Sequence, residues 1–275
     1  MNAVAVNAGI GGLLVAAAKA GYKPAFAVED DQEAMGVLQR NFPIPRCPWG
    51  LLDCAQVPHP EVVLVGTGRL GLLSAFLKAT NPRIVVSELN PCDGKMTEIL
   101  NGLSYRHWME VLDSSWFGVP QRRKRTYAVA FRADVSAKFI SFPFPDPSGS
   151  KPLATVLEEN PSSSLLLKQA TLDGIKRQNE RNAKAGFRYA VRPYSETEIG
   201  PEFPGNYFKD SRGFLVDSGN GPRRLSVLEA KRLMGFPDEY AIPVCNTSAY
   251  RLLGKSPCVP VLEAVLKEVK DWTDY

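Results

Sequence analysis

Ala3–Val6 is a short apolar run, and Asn7-Ala8-Gly9-Ile10-Gly11-Gly12 follows it as a glycine turn leading into the apolar stretch Leu13–Ala20. A strand, a glycine turn and a helix start in immediate succession leave few folds open. Glycines there let backbone N–H groups at a helix N-terminus come close to an anion. Gly21 then caps the helix, Pro24–Val28 is the next strand, ending in Glu29, and Gln32–Asn41 reads as helix. Glu61–Val65 and Arg83–Val86 are apolar runs of the kind found in parallel strands covered on both faces. Strands alternating with helices predict a doubly wound α/β domain.

Glu29 lies about twenty residues beyond the glycine turn, where an acidic residue meets ribose hydroxyls in dinucleotide-type sites. On the residues alone, NAD, another nucleotide or S-adenosylmethionine would fit. A purely structural turn fits as well.

The texture changes after Arg132. Residues 142–152 form a proline-rich connector, and 153–222 hold a basic helical candidate, Thr171–Ala185, among loops rich in Gly, Pro, Asp and Asn. Strand signals there are short, such as Gly213–Val216. The expected division is a main domain of 1–140 and 223–275 and a small one of 141–222. Ser226–Met234 reads as a helix with Ser226 and Glu229 in a capping box, and Val259–Trp272 as a closing helix. Lys176, Arg177 and Arg181 lie on the basic helix, within a stretch running from Lys168 to Arg192. Such residues suit phosphate contacts, which add affinity without sequence choice. A solvated helix face is the alternative. Tyr207, Phe208 and Lys209 offer an aromatic near a nucleic acid.

Five cysteines are scattered, odd in number and without CxxC spacing, and only two histidines are present. That pattern points to reduced thiols and predicts no metal site. No apolar run reaches the ~20 residues that span a bilayer, and the N-terminus has no basic leader. The expected location is the cytoplasm or nucleoid, or the nucleus in a eukaryote, with no membrane partner. A net charge of +4 permits a nucleic-acid partner.

Phe117-Gly-Val-Pro-Gln-Arg-Arg-Lys-Arg125 leads into the apolar strand Thr126–Phe131. Alternation on an extended backbone sends Gln121, Arg123 and Arg125 to one face. Two guanidiniums and an amide form a planar donor cluster suited to phosphate or a base edge. A solvated basic strand end is the other outcome.

This stretch resembles the Gln-x-Arg-x-Arg motif of the DNA (cytosine-5) methyltransferases. Further segments resemble the same family in the family's order, from residue 4 to about residue 266. Residues 7–31 are similar to its S-adenosylmethionine-binding opening. Arg223–Pro237 is close to the motif that organises its target-recognition region. Tyr250–Pro257 is similar to its final motif. The resemblance implies a Rossmann-like S-adenosylmethionine-dependent methyltransferase fold with a small target-recognition domain, and double-stranded DNA as partner. It implies Gly9 and Gly11 at the methionine end of the cofactor, Glu29 on the ribose and Asp53 on the adenine amine. Asn7 stands where the family has an aromatic that packs on the cofactor, so S-adenosylmethionine is expected to bind weakly. Lys255, before Ser256, stands where the family has Asn. A cation there attracts an extra carboxylate on the cofactor or fills the pocket itself. Glu88 corresponds to the carboxylate that grips the base, with Arg123 and Arg125 beside it and Gln121 toward DNA.

C5 methylation needs a thiolate that adds to C6 of the base. The family supplies it from a long Pro-Cys loop after the fourth strand. Here Glu61–Val65 is followed by Gly66-Thr67-Gly68-Arg69 and then by a helix expected from Leu70. So short a connection holds no mobile lid. Pro91-Cys92 has the two residue types but comes one strand later, and Cys92 stands only as a substitute nucleophile. The expectation is a homologue that binds DNA but lacks C5-methylation activity, acting as a regulator or as partner of an active methyltransferase subunit. The alternatives are a cytosine-modifying enzyme with altered chemistry, or an active enzyme whose loop is missing from this sequence.

Overall fold

The computed structural model describes the chain except residues 69, 91–93, 138–140, 146–148, 189, 218 and 274–275. Strand β1 (Asn2–Val6) lies inside a seven-stranded sheet. On one side are β2 (Lys23–Val28) and β3 (Arg46–Cys47). On the other are β4 (Val62–Val65), β5 (Ile84–Leu89), β7 (Lys124–Phe131) and the edge strand β6 (Arg106–Asp113). β3, β2, β1, β4 and β5 run parallel, while β7 is antiparallel to both β5 and β6.

Side-chain alternation makes two apolar layers. Ala3 and Ala5 of β1 and Val62 and Leu64 of β4 face one layer, with helices α1 (Gly12–Lys19), α2 (Gln32–Asn41) and α8 (Val259–Asp271). Val4, Val6, Val63 and Val65 face the other, under α3 (Leu73–Thr80) and α4 (Lys95–Gly102). Each of these strand residues is fully buried, which for a valine or leucine is worth about 1.5–3 kcal/mol.

The residues after α4 hold β6, a partly exposed edge strand for which the sequence gives no clear strand signal. The second sheet is small: β8 (Pro193–Tyr194), β9 (Leu215–Asp217) and β10 (Pro222–Arg223), with β9 central. Val216 of β9, with Phe203 and Phe214 from the loop before it, joins the same cluster as α8 and β7, so the core runs on from the large sheet without a break. Helix α5 (Gln169–Lys184) buries no residue. It is tied down where the Asn179 amide bonds both backbone groups of Val191, at 2.8 and 2.9 Å. The capping box on α6 (Val227–Leu233) is present, from Ser226 and Glu229. Helix α7 (Asn246–Lys255) lies between α6 and α8, and it too was not foreseen. No helix among the described residues is long and apolar enough to cross a membrane.

The sheet order reverses at β1, between β2 and β4. Open α/β sheets bind ligands at such a switch, outside the carboxyl ends of the strands. Asn7, Glu29, Gly66 and Glu88 all come from those ends.

Candidate active site

A cavity of about 260 Å³ opens at the switch, lined by Asn7, Gly9, Glu29, Gly66, Glu88 and Lys255 among others. Its floor is set by the glycine turn. Gly9 has φ +56, and nothing stands within 4 Å of where a Cβ would project. Glu29 fastens this turn to β2: its Oε2 accepts from Gly9 N at 2.6 Å and its Oε1 from Asp31 N at 2.9 Å. Each carboxylate oxygen keeps a lone pair for a hydroxyl. Asp31 caps α2 and pairs with Arg251 of α7, 2.5 Å away. The Arg251 hydrogen bond holds the Asp31 carboxyl below its ordinary range. Asp31 lines the cavity and was not foreseen, although its cap position was visible in the sequence.

Asn7 lies in the left-handed region at φ +52. Its Oδ1 accepts from the Trp49 indole at 2.9 Å and its Nδ2 donates to Gly66 O at 3.4 Å. Asparagine tolerates this backbone, whereas a bulky aromatic is strained there. An aromatic at this position would also lose both hydrogen bonds.

Three expected cofactor residues are placed elsewhere. Asp53 is exposed and caps a 3-10 turn, accepting from Ala55 N at 3.0 Å; it does not line the cavity. Gly11 faces the core, where a Cβ would stand 2.7 Å from the Tyr240 hydroxyl and 2.9 Å from Leu38. Ser256 is buried outside the cavity, its hydroxyl unpartnered and its carbonyl accepting from Arg123 at 3.1 Å. The Ser256 and Gly11 assignments followed motif position, and close packing of α1 on the α7–α8 junction takes both residues inward.

Gln121, Arg123 and Arg125 do share a face, but that face points into the protein. Gln121 is fully buried. Its Nε2 donates to Leu233 O at 2.7 Å and its Oε1 accepts from Phe203 N at 3.0 Å. This corrects the expectation of a DNA contact there: Gln121 fastens the strand to α6 and to the loop before β9. Arg123 is 4% exposed and donates to Ser256 O. Arg125 is 14% exposed and forks onto Glu202, with Nη1 3.3 Å from Oε2 and Nη2 on Oε1. Arg123 Nη1 also reaches Glu202, at 3.1 Å.

Glu88 lies behind the arginines at 3.7 Å from Arg123 and 3.8 Å from Arg125, and its Oε2 is buried with no hydrogen-bond partner. Burial raises its carboxyl above the ordinary value of 4.5, against the pull of both arginines. A raised carboxyl contributes stability that is present below its unfolded value and lost as pH rises through the folded one. Glu88→Gln cannot ionise, and the arginines keep Glu202. The variant is therefore expected to match the parent in acid and to exceed it by about 1–3 kcal/mol at neutral pH. Thermal melts across pH check this. A variant less stable than the parent at neutral pH would show that the ion pairs outweigh the burial.

Lys176, Arg177 and Arg181 are exposed on α5. Arg177 and Arg181 line a shallow groove with Lys209 and Arg212. Tyr207 is corrected from surface aromatic to core: its hydroxyl accepts from Leu225 N at 2.7 Å and donates to Phe214 O at 3.0 Å. Cys92 lies outside the described residues, as does Arg69 of the short connection. Helix α3 begins at Leu73, so the connection from β4 spans residues 66–72, longer than the sequence suggested. Among the described residues no cluster of His, Cys, Asp and Glu has metal-binding geometry.

A parallel-dominated sheet with its ligand pocket at the switch, followed by two antiparallel strands, is a Rossmann-like methyltransferase fold. The description of the C-5 cytosine-specific DNA methylases matches residues 82–271. Type II methyltransferase M.NlaX of Neisseria lactamica is 34% identical over 174 residues, 62% of this chain and 54% of that protein. M.SsoII of Shigella sonnei is 33% identical over 62% of this chain and 46% of its own length, so the chain spans about half of these relatives. M.NgoBI of Neisseria gonorrhoeae is 30% identical over 94% of this chain and 90% of its own. The crystal structure of a Spodoptera frugiperda DNMT2 variant superposes with a TM-score of 0.77 at 18% identity, covering 98% of this chain and 99% of that one. The chain belongs to the C-5 cytosine-specific DNA methylase family, whose methyl donor is S-adenosylmethionine.

Proposed function

We propose that this protein is a cytosine-5 methyltransferase homologue that binds duplex DNA and, weakly, S-adenosylmethionine, but does not by itself methylate cytosine. It acts as a regulator or as the partner of an active methyltransferase subunit. The observation that carries this reading is the connection at 66–72, in the place of the family's nucleophile loop. Glu88 and the arginine pair are kept, and methyltransferases of this kind read a base taken out of the duplex.

The cavity's residues fit much of the cofactor. Glu29 suits ribose hydroxyls, and the open Gly9 turn suits the amino-acid end. Asp53 does not reach the cavity to meet the adenine. S-adenosylmethionine, when bound, supplies an electrophilic methyl group. Lys255 puts a cation on the cavity wall. Calorimetry with S-adenosylmethionine and duplex DNA, separately and together, tests the proposal. DNA affinity is expected to fall steeply with salt, because Lys176, Arg177 and Arg181 address phosphates. Affinity that ignores ionic strength, or no binding at all, would count against a DNA role. Lys255→Asn is expected to change the ratio of affinities for S-adenosylmethionine and an analogue carrying an added carboxylate. An unchanged ratio would show that Lys255 does not address the ligand.

A further inference from the structure

The loop before β9 carries a carboxylate into the arginine pair. Its backbone is fixed on both sides of Glu202: Gly200 N donates to Pro120 O and Arg122 N to Gly200 O, each at 2.9 Å, and Phe203 N donates to Gln121 Oε1. The Glu202 side chain remains 40% exposed, while Arg123 is 4% and Glu88 3% exposed. Glu202 therefore closes the arginine pair from the solvent side, with Glu88 on the inner side. The pair is shared unequally. Glu202 receives the forked, charge-assisted bonds, and Glu88 is left at 3.7 and 3.8 Å with one oxygen orphaned.

We infer that Glu202 is a built-in competitor for the arginine pair, holding the place that an acceptor oxygen of the nucleic acid, phosphate or base carbonyl, takes on binding. This rests on the DNA-binding proposal above. An incoming acceptor and Glu202 seek the same planar fork, so they exclude each other. The half-exposed carboxylate leaves by a side-chain rotation into water, and the loop backbone stays where it is. Occupation by Glu202 also gives these two largely enclosed cations a second counter-charge beside Glu88 when no ligand is present.

The test is Glu202→Gln, which keeps the shape and removes the charge. It is expected to bind duplex DNA roughly tenfold more tightly than the parent. If the displaced group is a phosphate, the salt dependence steepens by about one for each cation freed. If it is a base carbonyl, affinity rises at unchanged salt dependence, and more for duplexes with a mismatched cytosine. Arg125→Ala placed in the Glu202→Gln background should remove the gain. Equal affinity and equal salt dependence in parent and variant would overturn the inference.

A second measurement needs no DNA. Glu88 is faced by Arg123, Arg125 and Tyr127, by Glu202 and by Cys258 at the start of α8. With Glu202 neutral, the arginines turn to Glu88, and its carboxyl carbon should titrate at lower pH by NMR. An unmoved Glu88 titration refutes the competition even if DNA binds. Loss of DNA binding by parent and variant alike, with Glu88 shifted, refutes the DNA-binding proposal instead.

Discussion

Incubated with S-adenosylmethionine and duplex DNA, the isolated chain is expected to transfer no methyl group to C5 of cytosine. The connection after β4 carries no cysteine to supply the thiolate that must attack C6. Residues 66–72 offer, at about 3.3–3.6 Å each, an out-and-back reach of only about 12 Å. Its first residues are also held down. Gly66 N donates to Val6 O at 2.9 Å, and a Cβ on Gly66 would stand 2.4 Å from Asn7 O. Gly68 lies nearly as close to the Asn7 side chain, 2.7 Å by the same measure. Of the described cysteines, Cys258 lies nearest the chemistry, beside Glu88. Burial pushes its thiol up to about 12, so it stays protonated at neutral pH and is shut away from any base. Cys245 is exposed with a lowered pKa, but it bonds Ser248 at the head of α7 and lines no part of the cavity. Transfer of labelled methyl groups, measured on DNA and on the protein, checks the expectation. Transfer that Cys92→Ser abolishes would sink it and favour an enzyme of altered chemistry.

Much of the fold was legible where local rules act. The glycine turn before α1, the Ser226–Glu229 capping box and the all-apolar run of β4 each specify their element without help from distant residues. The edge strand β6 was not, because Arg106–Asp113 alternates only weakly and most of its residues are at least partly exposed. At the site, pattern gave direction but not depth. Alternation placed Gln121, Arg123 and Arg125 on one face, yet only the fold shows that the face is covered. Motif likeness brought Asp53 to the adenine, but the local turn claims its carboxylate. Glu202 had no signal at all. It sits in a Gly- and Pro-rich loop and meets Arg125 across 77 residues of chain. The exposed cations of α5 were legible because surface residues need no partner to hold them.

The largest loss of stability is expected from Glu229→Ala. Glu229 is fully buried and grips Arg223 with two bonds, at 2.8 and 2.7 Å. Its oxygens also accept from Ser226 N at 2.8 Å and from Glu158 N at 2.9 Å. One carboxylate thus joins β10, the start of α6 and the segment after the proline-rich connector. Truncation leaves the Arg223 guanidinium buried, 3% exposed, without its counter-charge. Breaking such a pair from one side costs about 3–5 kcal/mol. Lowered melting by roughly 10 °C follows for a chain of this size. The pair as a whole is a different matter, since two charges were dehydrated to make it. Replacing both by apolar residues of similar volume, Arg223→Met with Glu229→Leu, is expected to recover much of the loss. The orphaned Ser226 and Glu158 amides keep the recovery incomplete. A double-mutant cycle on melting temperature and denaturant midpoint measures the coupling. Additive single losses would mean that the two residues act separately, and that the junction is held by apolar packing around Leu225 and Tyr250 rather than by this ion pair.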